Sequence, residues 1–247
     1  MIKRNIPNAI TLCNLLCGTI SAWCAATGDL QNAALFILLG ILFDFFDGMV
    51  ARLLNVASPM GKELDSLADL VTSGVAPAFI LFYVLRECLA IGWLACVAFL
   101  IPVAAGFRLA KFNLDTRQSH SFLGLPAPSN ALVWVAVGLL YGATWANSLS
   151  IAKIGDVHAM LFSGVGPYLL VFLAVLCSAL MVSEIPLFAL KFKNLSWKDN
   201  SIRFVFIISS ILLLLLFGVI GVMFVILWYV ILSLISGERT KQLDKSK

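Results

Sequence analysis

From Ile6 to Ile235 the chain is a succession of apolar stretches separated by short polar breaks. A helix needs about 20 mostly apolar residues to cross a hydrocarbon core about 30 Å thick. Most of these stretches have that length, at about 6–26, 32–54, 63–85, 88–113, 128–147 and 166–186. The segment Ile202 to Ile235 is apolar throughout. As one helix it would run roughly 51 Å, too long for a bilayer core. Gly218 and Gly221 near its middle divide it into two shorter helices. The pattern predicts an all-α integral membrane protein, a helical bundle of about eight transmembrane helices. A soluble domain is excluded by composition: 61% of the 247 residues are hydrophobic and 12% charged, about half the charge of an ordinary soluble domain.

Lys3 and Arg4 before the first apolar stretch resemble the start of a signal peptide. The stretch runs on to about Ala26 without a clear small-residue cleavage site, so a retained helix is expected. The six cysteines lie in or beside apolar sequence, match no zinc spacing, and read as small core residues.

Placing the N-terminus in the cytoplasm puts Lys3, Arg4, Arg52, Lys62, Arg108, Lys111, Arg117, Lys191, Lys193, Lys198, Arg203, Arg239, Lys241, Lys245 and Lys247 on that side. Arg86 and Lys153 fall outside. A distribution of 15 against 2 follows the positive-inside rule and puts both termini in the cytoplasm. The net charge of +4 is thus a topological signal. The basic residues are spread over five segments, so nucleic acid is not an expected partner.

The chemistry is concentrated in one block. Asp44-Phe-Phe-Asp47-Gly48-Met-Val-Ala51-Arg52 is followed, after eight residues, by Gly61-Lys-Glu-Leu-Asp65-Ser-Leu-Ala-Asp69. Ionisable groups inside a membrane span are costly and point to function. Asp44 and Asp47 are three apart, and Asp65 and Asp69 four apart, so each pair shares a helix face. A short connection makes the two helices antiparallel neighbours, with both pairs near the cytoplasmic end. Four close carboxylates repel one another unless they share protons or hold a cation. All-oxygen ligation suits magnesium, manganese or calcium. The two histidines, His120 and His158, fall in loops. Gly48 clears space beside Asp47, and Arg52 one turn on carries a planar fork suited to phosphate oxygens. Gly61 opens the second helix where a base or phosphate could enter. Together these groups describe a site for a pyrophosphate-linked substrate. A single membrane aspartate is often only a helix–helix hydrogen-bonding residue, but four in one ordered block with glycines and an arginine are hard to explain as packing.

The block matches D-x2-D-G-x2-A-R-x8-G-x3-D-x3-D at every fixed position and resembles the signature of the CDP-alcohol phosphotransferase family. Further stretches resemble its membrane-type phosphatidylserine synthase branch: Ile6-Pro7-Asn8 to Gly18, Gly61 to Ala78, Arg108 to Asn113, Phe122 to Pro128, and Met181-Val-Ser183. Lys111 stands where that branch leads one to expect arginine. The resemblance spans about 6–186; the last two apolar segments are alike only in hydrophobicity. It implies a family core over residues 1–190 and a C-terminal transmembrane hairpin with a basic cytoplasmic tail over 191–247.

The implied activity is transfer of the phosphatidyl group from CDP-diacylglycerol to the hydroxyl of L-serine, giving phosphatidylserine and CMP. Asp44, Asp47 and Asp65 are implied metal ligands, and Asp69 both a ligand and the general base, with two magnesium or manganese ions. Asn8, Thr11, Gly48, Arg52, Ser58 and Gly61 are implied contacts to CDP-diacylglycerol. A homodimer in a bacterial or archaeal cell membrane is expected from the family. Serine carries a carboxylate, for which Arg108 and Lys111 are candidate partners; equally, both could be anchors reaching lipid phosphates. Phe122 to Pro128 would form either a cap near the pocket or a rigid turn starting a helix. Two alternatives stay open: another acceptor such as glycerol 3-phosphate or inositol, and a divalent-cation or proton-coupled transporter.

Overall fold

The computed structural model describes residues 2–56, 58–114, 122–142, 160–187 and 197–245. Helix α1 (Ile2–Ala26) turns at Gly28, whose φ of +88° suits glycine, into α2 (Leu30–Leu53). Asp29 caps α2, its side chain accepting from the Asn32 amide at 3.2 Å. Ser58 caps α3 (Pro59–Asp69) in the same way, accepting from the Gly61 amide at 3.1 Å, with Pro59 at the position that tolerates it. A π-helical turn, Leu70–Val75, joins α3 to α4 (Ala76–Cys88), so Pro59–Cys88 is one continuous span. A 3-10 stretch, Gly92–Phe99, leads into α5 (Leu100–Leu114). Then come α6 (Ala127–Gly142) and α7 (Gly166–Val182), and finally α8 (Trp197–Phe217) and α9 (Val219–Lys245).

Five of these stretches are long and apolar enough to cross a bilayer: Asn5–Ala26, Leu30–Leu53, Pro59–Cys88, Gly92–Leu114 and Asn200–Phe217. Three shorter apolar helices, Ala127–Gly142, Gly166–Val182 and Val219–Ile235, fall at the other expected positions. Leu35, Leu38, Leu42 and Phe45 are exposed along one side of α2. Such a stripe would be costly in water and is the natural surface in lipid. The protein is an all-α integral membrane protein.

Gly218, with φ of +56°, separates α8 from α9. The two fold back on each other: Trp228 Nε1 donates to Ser209 Oγ at 2.8 Å, and the Phe206 and Tyr229 rings meet at 5.6 Å. The division expected at the paired glycines is therefore a hairpin turn. It docks through α9 on α6 and on the segment after α7.

Three details differ from the apolar pattern. Residues 89–91 interrupt the fourth stretch before the 3-10 turn. Within the sixth apolar stretch, helix α7 ends at Val182, and Pro186–Leu187 (β2) pairs antiparallel with Phe122–Leu123 (β1). This pair encloses Gly124, whose φ is +73° and where a Cβ would stand 2.6 Å from the Met181 carbonyl oxygen. Arg117, His120, Lys153, His158, Lys191, Lys193 and Lys247 lie outside the described residues.

The core gathers around α6 and α4, with Trp134, Ile37, Ile80, Leu81, Val84 and Leu85 fully buried. Trp134 satisfies its indole N–H on Asn130 Oδ1 at 3.0 Å. Helix α1 lies against α2 and the α3–α4 span at very close range. A Cβ on Gly18 would stand 2.4 Å from Thr72 Oγ1, and one on Gly40 would stand 2.5 Å from Thr72 Cγ2. Small residues at helix contacts in membranes allow such approach. This tight packing brings α1, α2 and α3 together where the aspartates stand.

Candidate active site

Asp44 and Asp47 project from the last turns of α2, and Asp65 and Asp69 from α3. Carboxylate oxygens of Asp44, Asp47 and Asp65 all lie within 4.8 Å of one another. Asp69 stands one turn further along α3, outside that trio, at the point where the π-helical turn begins. It accepts from Asn14 Nδ2 of α1 at 3.4 Å. Thr11, one turn earlier on α1, holds the opposite end of the cluster: its hydroxyl lies within hydrogen-bonding reach of Asp47 Oδ2 and of the Pro7 carbonyl oxygen. Thus α1 supports one carboxylate from each of the other two helices.

These residues fit a hard divalent cation. Three carboxylates converge, and Asp65 Oδ1 is buried with no hydrogen-bond partner among the described residues. Among those residues the ion pairs are Arg86–Glu87 and Lys111–Glu184, so no lysine or arginine neutralises the trio. Buried like charges without a counterion are unfavourable, and oxygen-only donors suit magnesium, manganese or calcium.

Beside the trio is a cleft of about 230 Å³, lined by Pro7, Asn8, Thr11, Asp47, Gly48, Ala51, Val56, Ser58, Gly61, Lys62 and Asp65. Five of the six residues expected to touch the nucleotide-linked donor meet here: Asn8, Thr11, Gly48, Ser58 and Gly61. Gly48 faces open space, with nothing within 4 Å of where a Cβ would be. Gly61 has a different reason for its size: a Cβ would stand 3.1 Å from Asn8 Oδ1 and 3.2 Å from Ser58 Oγ. Ser58 spends its oxygen on the Gly61 amide, so the cleft lies at the capped N-terminus of α3. The helix dipole makes such an end favourable for phosphate. Arg52 is exposed at the rim and is not part of the cleft lining; its Nε donates to the Gly48 carbonyl oxygen at 2.9 Å.

Arg108 and Lys111 part company. Arg108 is buried, with Nε finding no hydrogen-bond partner among the described residues, and Asp69 and Tyr229 are its electrostatic neighbours. Lys111 is half-exposed and bonded to Glu184 Oε1 at 2.6 Å. Both line a small cavity with Phe107, Phe112, Met181, Val182 and Ser183. Its volume of about 10 Å³ has room for about one water molecule.

Two supporting groups had no role at the site in the sequence reading. Asn14 is fully buried, and its Oδ1 has no hydrogen-bond partner among the described residues while its amide reaches Asp69. A polar residue one turn after Thr11 in an apolar span was the available signal. Lys62 lines the cleft and donates to the Asn113 carbonyl oxygen at 3.0 Å, while Asn113 Nδ2 donates to Ser66 Oγ at 2.9 Å. These bonds tie the end of α5 to the start of α3, and nothing in the spacing pattern connects such distant residues.

A family-model match to CDP-alcohol phosphatidyltransferase covers residues 4–165. The chain belongs to the CDP-alcohol phosphatidyltransferase family. The match contains all four aspartates and the whole cleft, and it ends just before α7, so the hairpin of α8 and α9 lies beyond it. The chain is 39% identical over 160 residues to a CDP-diacylglycerol–serine O-phosphatidyltransferase of Bacillus subtilis, covering 62% of this chain and 90% of that protein. Proteins of the same name from Mycobacterium leprae and Saccharomyces cerevisiae are 37% identical over 153 residues and 47% over 125. This chain spans about half the length of those two, 50% and 42% respectively.

Proposed function

We propose that this family member transfers the phosphatidyl group of CDP-diacylglycerol to the hydroxyl of L-serine, producing phosphatidylserine and CMP. The observation that carries the proposal is the carboxylate trio of Asp44, Asp47 and Asp65 opening into the cleft at the N-terminus of α3. The printed names of the aligned relatives support serine as the acceptor.

In this reading Asp44, Asp47, Asp65 and Asp69 hold two magnesium or manganese ions. Bound there, the ions would neutralise pyrophosphate charge and favour departure of CMP. Asn8, Thr11, Gly48, Ser58 and Gly61 hold the nucleotide end of the donor, and Arg52 reaches its phosphates from the rim. Asp69 accepts the proton of the serine hydroxyl as the oxygen bonds to the lipid-side phosphorus. The phosphorus–oxygen bond to CMP breaks as the new one forms. Asn14 holds Asp69 in place. Arg108, close to Asp69, receives the serine carboxylate. Lys111, engaged by Glu184, steadies the neighbouring wall.

To the same proposal belong a family core over residues 1–190, a C-terminal hairpin over 191–247, a homodimer, and a cell-membrane location with both termini and the site facing the cytoplasm. The bias of basic residues supports the orientation. A transport role is disfavoured by the apolar core beyond the aspartates, formed by Ile37, Ile80, Leu81, Val84 and Leu85.

The deciding experiment measures CMP release by purified protein from CDP-diacylglycerol with serine, glycerol 3-phosphate or inositol, each with and without magnesium or manganese. Metal-dependent release with serine and labelled phosphatidylserine as product is expected. Release with another alcohol alone would overturn the acceptor assignment.

A further inference from the structure

Helix α3 carries Asp65 and Asp69, but of its residues only Ala68 is buried. Little apolar burial therefore holds it in place. Deeper in the bundle the same span packs tightly on α5. In the π-helical turn a Cβ on Gly74 would stand 3.2 Å from Ala105 Cβ and 3.3 Å from Pro102 Cα, and one on Gly106 would stand 3.5 Å from Leu70 Cδ1. At the other end of α5 the contact is polar. Asn113 Nδ2 donates to Ser66 Oγ at 2.9 Å, and the Asn113 carbonyl oxygen accepts from Lys62 Nζ at 3.0 Å. Ser66 Oγ donates in turn to the Lys62 carbonyl oxygen at 3.2 Å, so the three bonds close a ring.

One residue thus grips two turns of α3. Lys62 and Ser66 are four apart and share a helix face. Asn113 lies in the last turn of α5, where carbonyl oxygens have no partner within the helix. Both its side chain and its main chain are therefore available to α3. The apolar contact at Gly74 and Gly106 and the polar contact at Asn113 fix the two helices at two levels. Between those levels in the chain fall Asp69 on one side and Arg108 on the other. Arg108 is buried, its Nε has no hydrogen-bond partner among the described residues, and with Lys111 it lines the small cavity. Lys62 and Asp65 line the donor cleft. The ring therefore joins the cleft to the helix that walls the cavity.

We infer that Asn113 is a positioning residue: its bonds to Ser66 and Lys62 set the separation of α3 and α5, and with it the alignment of the acceptor hydroxyl with Asp69 and the donor. Bound reactants react fast only when held at reacting distance and angle, and a misplacement of about 1 Å can cost about a hundredfold. Such a residue governs turnover without touching either substrate. The inference rests on the proposed transfer for what is aligned, not on serine as the acceptor.

The test is a cycle of Asn113→Leu, Ser66→Ala and the two combined, which removes the amide donor and its acceptor separately and together. Asn113→Leu leaves the main-chain carbonyl that Lys62 uses. Turnover, both KM values and thermal unfolding in detergent are measured on each variant. Each single variant should lose about tenfold or more in kcat, with both KM values within about twofold of wild type. The combined variant should lose no more than the worse single one. Ser66→Thr, which keeps the hydroxyl, should recover most of the kcat lost in Ser66→Ala. Wild-type kcat in either single variant overturns the inference, even where the unfolding midpoint falls. So do losses that multiply in the combined variant, or a raised serine KM with kcat unchanged, which would make Asn113 a binding group. If Asn113→Leu does not fold, Ser66→Ala against Ser66→Thr decides alone. If wild-type protein uses another alcohol, the serine assignment fails, and the same cycle run with that alcohol still decides the role of Asn113.

Discussion

Asp69 and Asp47 carry carboxylates of the same kind, but their supports on α1 differ. Asp47 lies against the Thr11 hydroxyl inside the trio; Asp69 lies against the Asn14 amide just outside it. The proposed division of labour follows, with Asp47 a ligand and Asp69 placed for proton transfer. Asp69→Asn should lower turnover by at least about a thousandfold, since it removes the base and a ligand together, while binding of CDP-diacylglycerol stays within a few-fold. Equilibrium binding of labelled donor beside a CMP-release assay checks both halves, and near-normal turnover would remove Asp69 from the role of base. Thr11→Val tests the support rather than the ligand. Loss of a group that orients a metal ligand commonly costs 10–100-fold in metal affinity. The magnesium or manganese concentration for half-maximal activity should therefore rise about tenfold or more, with activity restored at saturating metal and saturating donor.

At the scale of elements, three glycines occupy superficially similar helical positions for different reasons. Gly18 and Gly40 let α1 and α2 close on Thr72, whereas Gly48 faces the open cleft. Gly18→Ala must push apart two helices that have no slack, and overpacking of this kind costs about 1–3 kcal/mol. Its unfolding midpoint in detergent should fall clearly below wild type. Gly48→Ala should keep the wild-type midpoint and weaken donor binding, because the added methyl group occupies ligand space only. Equal destabilisation by the two would contradict the packing described. The same contrast shows what was legible in the sequence. Apolar length located the helices, and carboxylate spacing brought the aspartates of α2 and α3 together, because both are periodic or local signals. Asn14 against Asp69 and Thr72 against Gly18 join residues far apart in the chain. No local pattern encodes them; they arise when helices pack. Arg52 shows the converse: its spacing from Asp47 is a correct helical reading, but its side chain turns back onto the Gly48 carbonyl oxygen at the rim. The β1–β2 pair escaped notice because two residues are too few to show an alternating pattern.

For the whole molecule, the two ends of the bundle differ in chemistry. One end collects Asn8, Arg52, Lys62, Lys111, Asn113 and Glu184, joined by the Lys62–Asn113 and Lys111–Glu184 bonds. The other brings together Gly28, Gln31, Tyr83 and Gly142, where Gln31 Nε2 donates to the Gly142 carbonyl oxygen at 2.6 Å, and Arg86 lies over the Tyr83 ring. The aspartates belong to the basic end, which the positive-inside rule assigns to the cytoplasm. Orientation can be read with an impermeant maleimide on a background whose native cysteines have been replaced. Glu87→Cys should label in intact cells, and Leu54→Cys only after permeabilisation; the reverse pattern would invert the topology. A divalent ion held by the converging carboxylates would also couple global stability to metal. Without a cation their mutual repulsion opposes the packing of α2 on α3, and a ligand that binds only the folded state stabilises by RT ln(1 + [L]/Kd). At a hundred times its Kd that is about 2.7 kcal/mol. Magnesium or manganese should therefore raise the unfolding midpoint of wild-type protein in detergent, and a chelator should remove the gain. Asp44→Asn takes one charge from the trio, so it should unfold at or above the wild-type midpoint in chelator yet gain far less from added metal. A midpoint insensitive to metal in wild-type protein, or an equal metal response in Asp44→Asn, would show that the trio is not where the ion binds.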